Sequence, residues 1–216
     1  MDSSSLLFLY KYCWQSLAHK IKRRVDGSID RYKACLVAKR FTQQEGIDYL
    51  ETFSPVVKPA TVRLVLTIVV TRGWFIHQLD VHNAFLNVIL QEEVYIEQPP
   101  GFSHPTLSSH VCHLHKSIYG LKQSPRAWYT RLSDYLISFY FRASNADTSI
   151  FIYSDGHDLI YLLMYVDDLL LTGNNLTLLR HLITLLNSEF KIRDLRSVHY
   201  FLKIEVTKTA MGFMLS

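Results

Sequence analysis

With 216 residues, 49% of them hydrophobic and 19% charged, the chain is long enough to bury a core and too apolar to be a disordered tail. Its net charge of +4 is unevenly spread: residues 1–63 hold 11 Lys/Arg against 6 Asp/Glu, the rest 12 against 13, a split that suits polyanion contact or an ordinary solvated face. Cys13, Cys35 and Cys112 are too few and too far apart for a disulfide framework, so a reducing intracellular setting is expected.

Residues 1–18 match no motif and are a candidate disordered lead-in. Their apolar run Leu6–Tyr10 is too short to cross a bilayer and lacks the flanks of a signal peptide. From Ile21 to Phe41 a hairpin is expected, turning at Asp26-Gly27-Ser28, with Tyr32, Ala34, Leu36 and Ala38 alternating with Lys33, Cys35, Val37 and Lys39. Residues 42–60 read as loop. Thr61 is the expected cap of a helix with the stripe Val62, Val65, Leu66, Val69 and a stop at Gly73. A strand follows over Trp74–Val81, with Asp80 near its end and facing away from Leu79 and Val81.

Glu93–Glu97 and Val111–Lys116 read as strands around a Pro99-Pro100-Gly101 loop. A helix opens at Ser124 or Pro125, burying Trp128, Leu132, Tyr135, Leu136 and Phe139. Ser149–Tyr153 and Leu159–Tyr165 are strands, and Val166-Asp167-Asp168 is a tight turn into Leu169–Thr172. The aspartates interrupt the longest apolar stretch, Leu159–Leu171, and argue against a membrane segment there. A helix over Leu176–Phe190 and a strand over Tyr200–Thr207 complete the order. Helices returning onto a mainly antiparallel sheet imply an α+β fold of the split βαβ type.

Two adjacent aspartates between apolar strands repel each other, and burial adds a desolvation cost. A divalent cation relieves both; an exposed turn is the alternative. Asp80 shifts the balance, because its strand can lie beside the Asp167 hairpin. Oxygen ligands from Asp80 and Asp167 suit Mg²⁺ or Mn²⁺, and two such ions about 4 Å apart could clamp the attacking and leaving oxygens of a phosphoryl displacement. His110, Cys112, His113 and His115 alternate along one expected strand and fit no zinc spacing.

The segments Gln78-Leu79-Asp80-Val81-His82-Asn83-Ala84-Phe85-Leu86, Tyr119-Gly120-Leu121-Lys122-Gln123-Ser124-Pro125-Arg126-Ala127-Trp128 and Tyr165-Val166-Asp167-Asp168 occur in that order. Together with Phe41–Tyr49, Phe53–Val57 and Phe190–Ile192, they resemble the reverse transcriptases of Ty1/copia-type retrotransposons from about residue 20 onward. The resemblance implies a polymerase palm with a split βαβ, ferredoxin-like core, a fingers segment over 19–60 and a palm with intervening fingers elements over 61–216. Because the sequence stops at Ser216, the thumb is expected to be absent or truncated.

By position, Asp80, Asp167 and Asp168 match the catalytic aspartates, the first two as metal ligands. Phe85 matches the ring that excludes a ribose 2′-hydroxyl, though it could also be a core Phe. Tyr119, Gly120 and Lys122 match the motif lying against nucleotide and template. Lys33 and Lys39 fall in the strand approaching the triphosphate, and each could equally be a solvated residue. Lys191 is a candidate proton donor to pyrophosphate. Phe201, Leu202 and Lys203 match the primer grip. The implied partners are an RNA or DNA template with a DNA primer and deoxynucleoside triphosphates, in the cytoplasm or nucleus. No membrane partner is expected.

Some positions depart from the family pattern. Cys35 stands where an arginine would fork onto phosphate, and Arg40, Val88 and Lys203 replace glycines. These departures keep open a second reading, a catalytically inactive remnant that at most binds nucleic acid.

Overall fold

A computed structural model describes residues 15–24, 26–196, 198, 200–201, 204–209 and 212–215. In chain order the elements are β1 (Gln15–Arg23), β2 (Ile29–Ala38), α1 (Pro59–Arg72), β3 (Phe75–Val81), β4 (Tyr95–Ile96), β5 (Cys112–His113) and α2 (Ser124–Ser138). Then come β6 (Arg142–Ala143), β7 (Ile150–Asp155), β8 (Asp158–Tyr165), β9 (Asp168–Gly173), α3 (Leu176–Phe190), β10 (Ile192–Arg196), β11 (Tyr200–Phe201), β12 (Ile204–Thr209) and β13 (Gly212–Leu215). They fall into two compact units, Met1–Phe53 with Phe85–Trp128 and Ser54–Ala84 with Tyr129–Ser216.

In the first unit β1 and β2 form the expected antiparallel hairpin. Asp26 fixes its turn by accepting from the Ser28 backbone N–H at 2.9 Å and hydroxyl at 2.6 Å. The strand begins at Gln15, paired with Ala38, so residues 15–18 of the expected disordered lead-in belong to β1, while residues 1–14 lie outside the described residues. β4 and β5 pair over only two residues each. Beyond them the backbone bonds continue outside the strands, Leu114 N–H to Val94 and Leu90 N–H to His115. Ala38, Val94, Ile96, Ile118 and Leu121 form the buried cluster of this unit.

The second unit is organised by a six-stranded sheet in the order β10-β3-β9-β8-β7-β6, with antiparallel neighbours throughout. The buried stripe of α1 is Val62, Val65, Leu66 and Val69, as its spacing predicts. It packs on Leu163 and Leu170 of the sheet together with Val57, Val198 and Phe201. Alternation turns Leu162 and Leu171, both buried, to the opposite face. Helix α3 buries Leu179, Leu182, Leu186 and Phe190, and Phe190 meets Tyr135 of α2 edge-on at 5.0 Å.

Three expectations need correction. Helix α1 starts at Pro59, not after Thr61, because proline's missing N–H and preset φ suit the first helical position. The Thr61 hydroxyl instead donates to Asp147 at 2.8 Å. Strand β10, absent from the sequence reading, adds to the edge of the sheet beside β3, where His77 Nδ1 lies 3.2 Å from Asp194. The single strand expected over Tyr200–Thr207 is β11 and β12 folded back on each other.

Candidate active site

The three aspartates are gathered at one end of the second unit's sheet. Strands β8 and β9 are joined by the two residues Val166 and Asp167. Val166 takes φ 53°, as the first position of a primed hairpin turn requires, although a β-branched residue is strained there. The Val81 N–H donates to the Asp167 carbonyl at 2.8 Å, pinning the turn to the end of β3. Cross-strand register then aligns Tyr165 with Asp168, Asp168 with Asp80, and Asp80 with Arg193. In-register residues share a face, so Asp168, Asp80 and Arg193 form a row across β9, β3 and β10. Leu79 and Val81 are buried on the other face, as the alternation predicts.

This grouping has an electrostatic cost. Burial pushes the Asp168 carboxyl above the ordinary carboxylate value, and Asp167 and Asp80 push it further, against a hydrogen bond from Gln78. Neighbouring carboxylate oxygens, with the ionisation of Asp168 opposed by the other two, fit a hard divalent cation. No group of three His, Cys, Asp or Glu side chains among the described residues is gathered into a ligating set. Mg²⁺ takes one or two carboxylates and completes its shell with water and phosphate, so the donor set still suits it.

In the first unit a second group forms around the turn Tyr119–Gln123. The Ala38 N–H donates to the Tyr119 carbonyl at 2.8 Å. Gly120 has φ 92°, and a Cβ there would lie 2.1 Å from the Ala38 carbonyl, so only glycine fits. The Phe85 and Tyr119 rings meet edge-on at 4.6 Å. Phe85 is 6% exposed, so it is a packed residue whatever else it does. Lys122 donates from Nζ to the Gln43 carbonyl at 3.3 Å and the Tyr49 hydroxyl at 3.1 Å, and lies 4.8 Å from the Tyr49 ring centre. Its ammonium thus holds the 43–49 loop.

Lys33 lies in β2 opposite Lys20, and Lys39 follows the strand, half-buried. Cys35 is a free, half-buried thiol, and Val88 is buried. Phe201 is 1% exposed within the α1 core, so packing occupies its ring. Leu202 and Lys203 lie outside the described residues. Lys191 is exposed in a left-handed conformation, and its carbonyl accepts from the His82 N–H at 3.4 Å. Sequence reasoning missed Arg193, because only strand register brings it beside Asp80.

The profile of the reverse transcriptase (RNA-dependent DNA polymerase) family matches residues 13–216, and the chain belongs to that family. It is similar to the retrovirus-related Pol polyproteins from transposons RE2 and RE1 of Arabidopsis thaliana, with 50% identity over 191 residues and 49% over 195. Against that from transposon TNT 1-94 of Nicotiana tabacum the identity is 38% over 191 residues. The copia-type resemblance read from the motifs therefore holds. These matches cover 88%, 90% and 88% of this chain but only 13%, 13% and 14% of the relatives.

Proposed function

We propose that this chain is the fingers and palm portion of a copia-type RNA-directed DNA polymerase, adding deoxynucleotides to a primer 3′-hydroxyl on an RNA or DNA template. The observation that carries this is the register of Asp168 with Asp80 beside the Asp167 turn. The order β10-β3-β9-β8, with α2 between β3 and β8 and α3 between β9 and β10, is that of a split βαβ core and supports the palm reading of the second unit. Asp80 and Asp167 would hold the divalent ions, and Asp168 would support them from the same face. The chemistry supplied on binding would be activation of the primer hydroxyl and neutralisation of the triphosphate. Arg193, exposed at the end of the aspartate row, would offset phosphate charge. In the first unit Tyr119 and Gly120 would lie against the nucleotide, and Phe85 would meet its sugar.

Primer extension with the purified chain, Mg²⁺ or Mn²⁺ and deoxynucleotides tests the reading. Template-dependent extension that disappears in Asp167→Asn is expected. The inactive reading is favoured by Cys35, whose thiol cannot fork onto phosphate. Extension absent from the natural chain but present in Cys35→Arg would place the fault at that residue. Extension absent from both would favour the remnant.

A further inference from the structure

A buried polar network in the first unit plays no part in the chemistry above. Gln43 is 4% exposed, Gln123 2% and Asp48 7%. The Gln43 carboxamide donates from Nε2 to Gln123 Oε1 at 3.0 Å, and its Oε1 accepts from the Lys122 backbone N–H at 2.7 Å. Gln123 Nε2 donates in turn to the Asp48 carbonyl at 2.9 Å, and the Asp48 carboxylate accepts from the Gln44 N–H at 2.7 Å. One buried side chain therefore satisfies two groups of the Tyr119–Gln123 turn. Buried polar networks with every member paired are rigid, and removing one member strands the others. The opposite side of the turn is fixed by Ala38 on Tyr119 and by the absence of a Cβ at Gly120. Held from both sides, the turn has little freedom in where it seats the Tyr119 ring on Phe85.

We infer that Gln43 is a positioning residue for nucleotide sugar selection: it holds the turn that presses Tyr119 against Phe85. The inference rests on the polymerase reading and on Phe85 meeting the sugar. Gln43 need not touch the substrate. Its effect passes through Lys122, Gln123 and Tyr119.

The experiment is primer extension by the full chain, comparing kcat/KM for a deoxynucleoside triphosphate and its ribonucleotide counterpart. Gln43→Ala is expected to reduce the deoxy-over-ribo ratio about tenfold, the change equivalent to about 1.4 kcal/mol. Gln43→Glu has nearly the same shape and keeps the acceptor for Lys122 while losing the donor to Gln123. It should fall between the two, and it serves if the alanine variant does not fold. In a Phe85→Val background, where the gate is gone, Gln43→Ala should change the ratio no further. A merely structural role would slow both nucleotides alike. An unchanged ratio in a folded Gln43 variant, with the natural chain active, overturns this inference alone. Where only Cys35→Arg extends, the same comparison is made in that background; incorporation of neither nucleotide by the natural chain and by Cys35→Arg overturns the polymerase reading and this inference together.

Discussion

Asp168 shows how one residue can be at odds with the stability of the fold around it. Burial, then Asp167, then Asp80 raise its carboxyl above the ordinary 3.8. A raised folded-state value means the folded chain binds the proton more tightly than the unfolded chain. Stability therefore falls as pH rises from the unfolded value through the folded one, and the penalty is complete above that window. In chelator-treated protein, Asp168→Asn is expected to melt higher than the natural chain at pH 7. The gain should be at most about 1 kcal/mol, because the group is partly exposed and solvent screens it. The difference should shrink toward acid, where the natural carboxyl is protonated, and should narrow when Mg²⁺ is added at pH 7. Thermal melts at both pH values, with and without the ion, check this. An asparagine variant that melts lower at pH 7 in chelator would mean that the carboxylate is stabilised by contacts stronger than the repulsion.

Asp147 has the opposite sign, and its effect belongs to the element it anchors. Burial alone would raise its carboxyl. The hydroxyls of Ser149 and Thr61, with backbone donors from Ser149 and Lys58, outweigh that and hold it below the ordinary value. Thr61 lies in the first turn of α1, so this carboxylate ties the start of that helix to the loop before β7. A depressed carboxyl contributes stability above its unfolded value and loses it as pH falls through the folded one. Asp147→Ala should cost about 1–2 kcal/mol at pH 7 and leave a flatter acid limb, as read from urea melts at pH 7 and below pH 4. Such ties are not legible in the sequence. The stripe of α1 was readable because apolar spacing reports burial directly, as were Trp128, Leu132 and Leu136 of α2, whereas Tyr135 and Phe139 are only half-buried; the Asp167 turn was readable because two aspartates interrupt an apolar stretch. Strand β10 was hidden: Ile192-Arg193-Asp194-Leu195-Arg196 is polar, as an edge strand can be, and its pairing lies in the backbone. The same gap concealed Arg193. Lys122 was matched by motif, but the sequence could not show that Tyr49 and the Gln43 carbonyl engage its ammonium.

For the whole molecule, the uneven charge is the feature that composition revealed and that no single element contains. Residues 1–63 carry a net +5, from 11 basic and 6 acidic side chains, while the rest is close to neutral. The β1–β2 hairpin displays part of that charge: Arg24 and Arg31 are exposed and lean on one carboxylate, Asp30, at 3.5 and 3.9 Å. Exposed pairs of this kind contribute little to stability, so two arginines sharing one acid remain available to a polyanion. Binding of a template–primer duplex should weaken with salt, log K falling linearly against log salt as counterions are released. Arg24→Ala with Arg31→Ala should reduce that slope by up to about two if each arginine neutralises one phosphate. The melting temperature should barely change, since neither side chain is packed. Filter binding over a salt series, on RNA and DNA templates alike, measures the slope. A double variant with the natural slope would show that the hairpin's charge faces only solvent, and the basic third of the chain would then owe its sign to solubility.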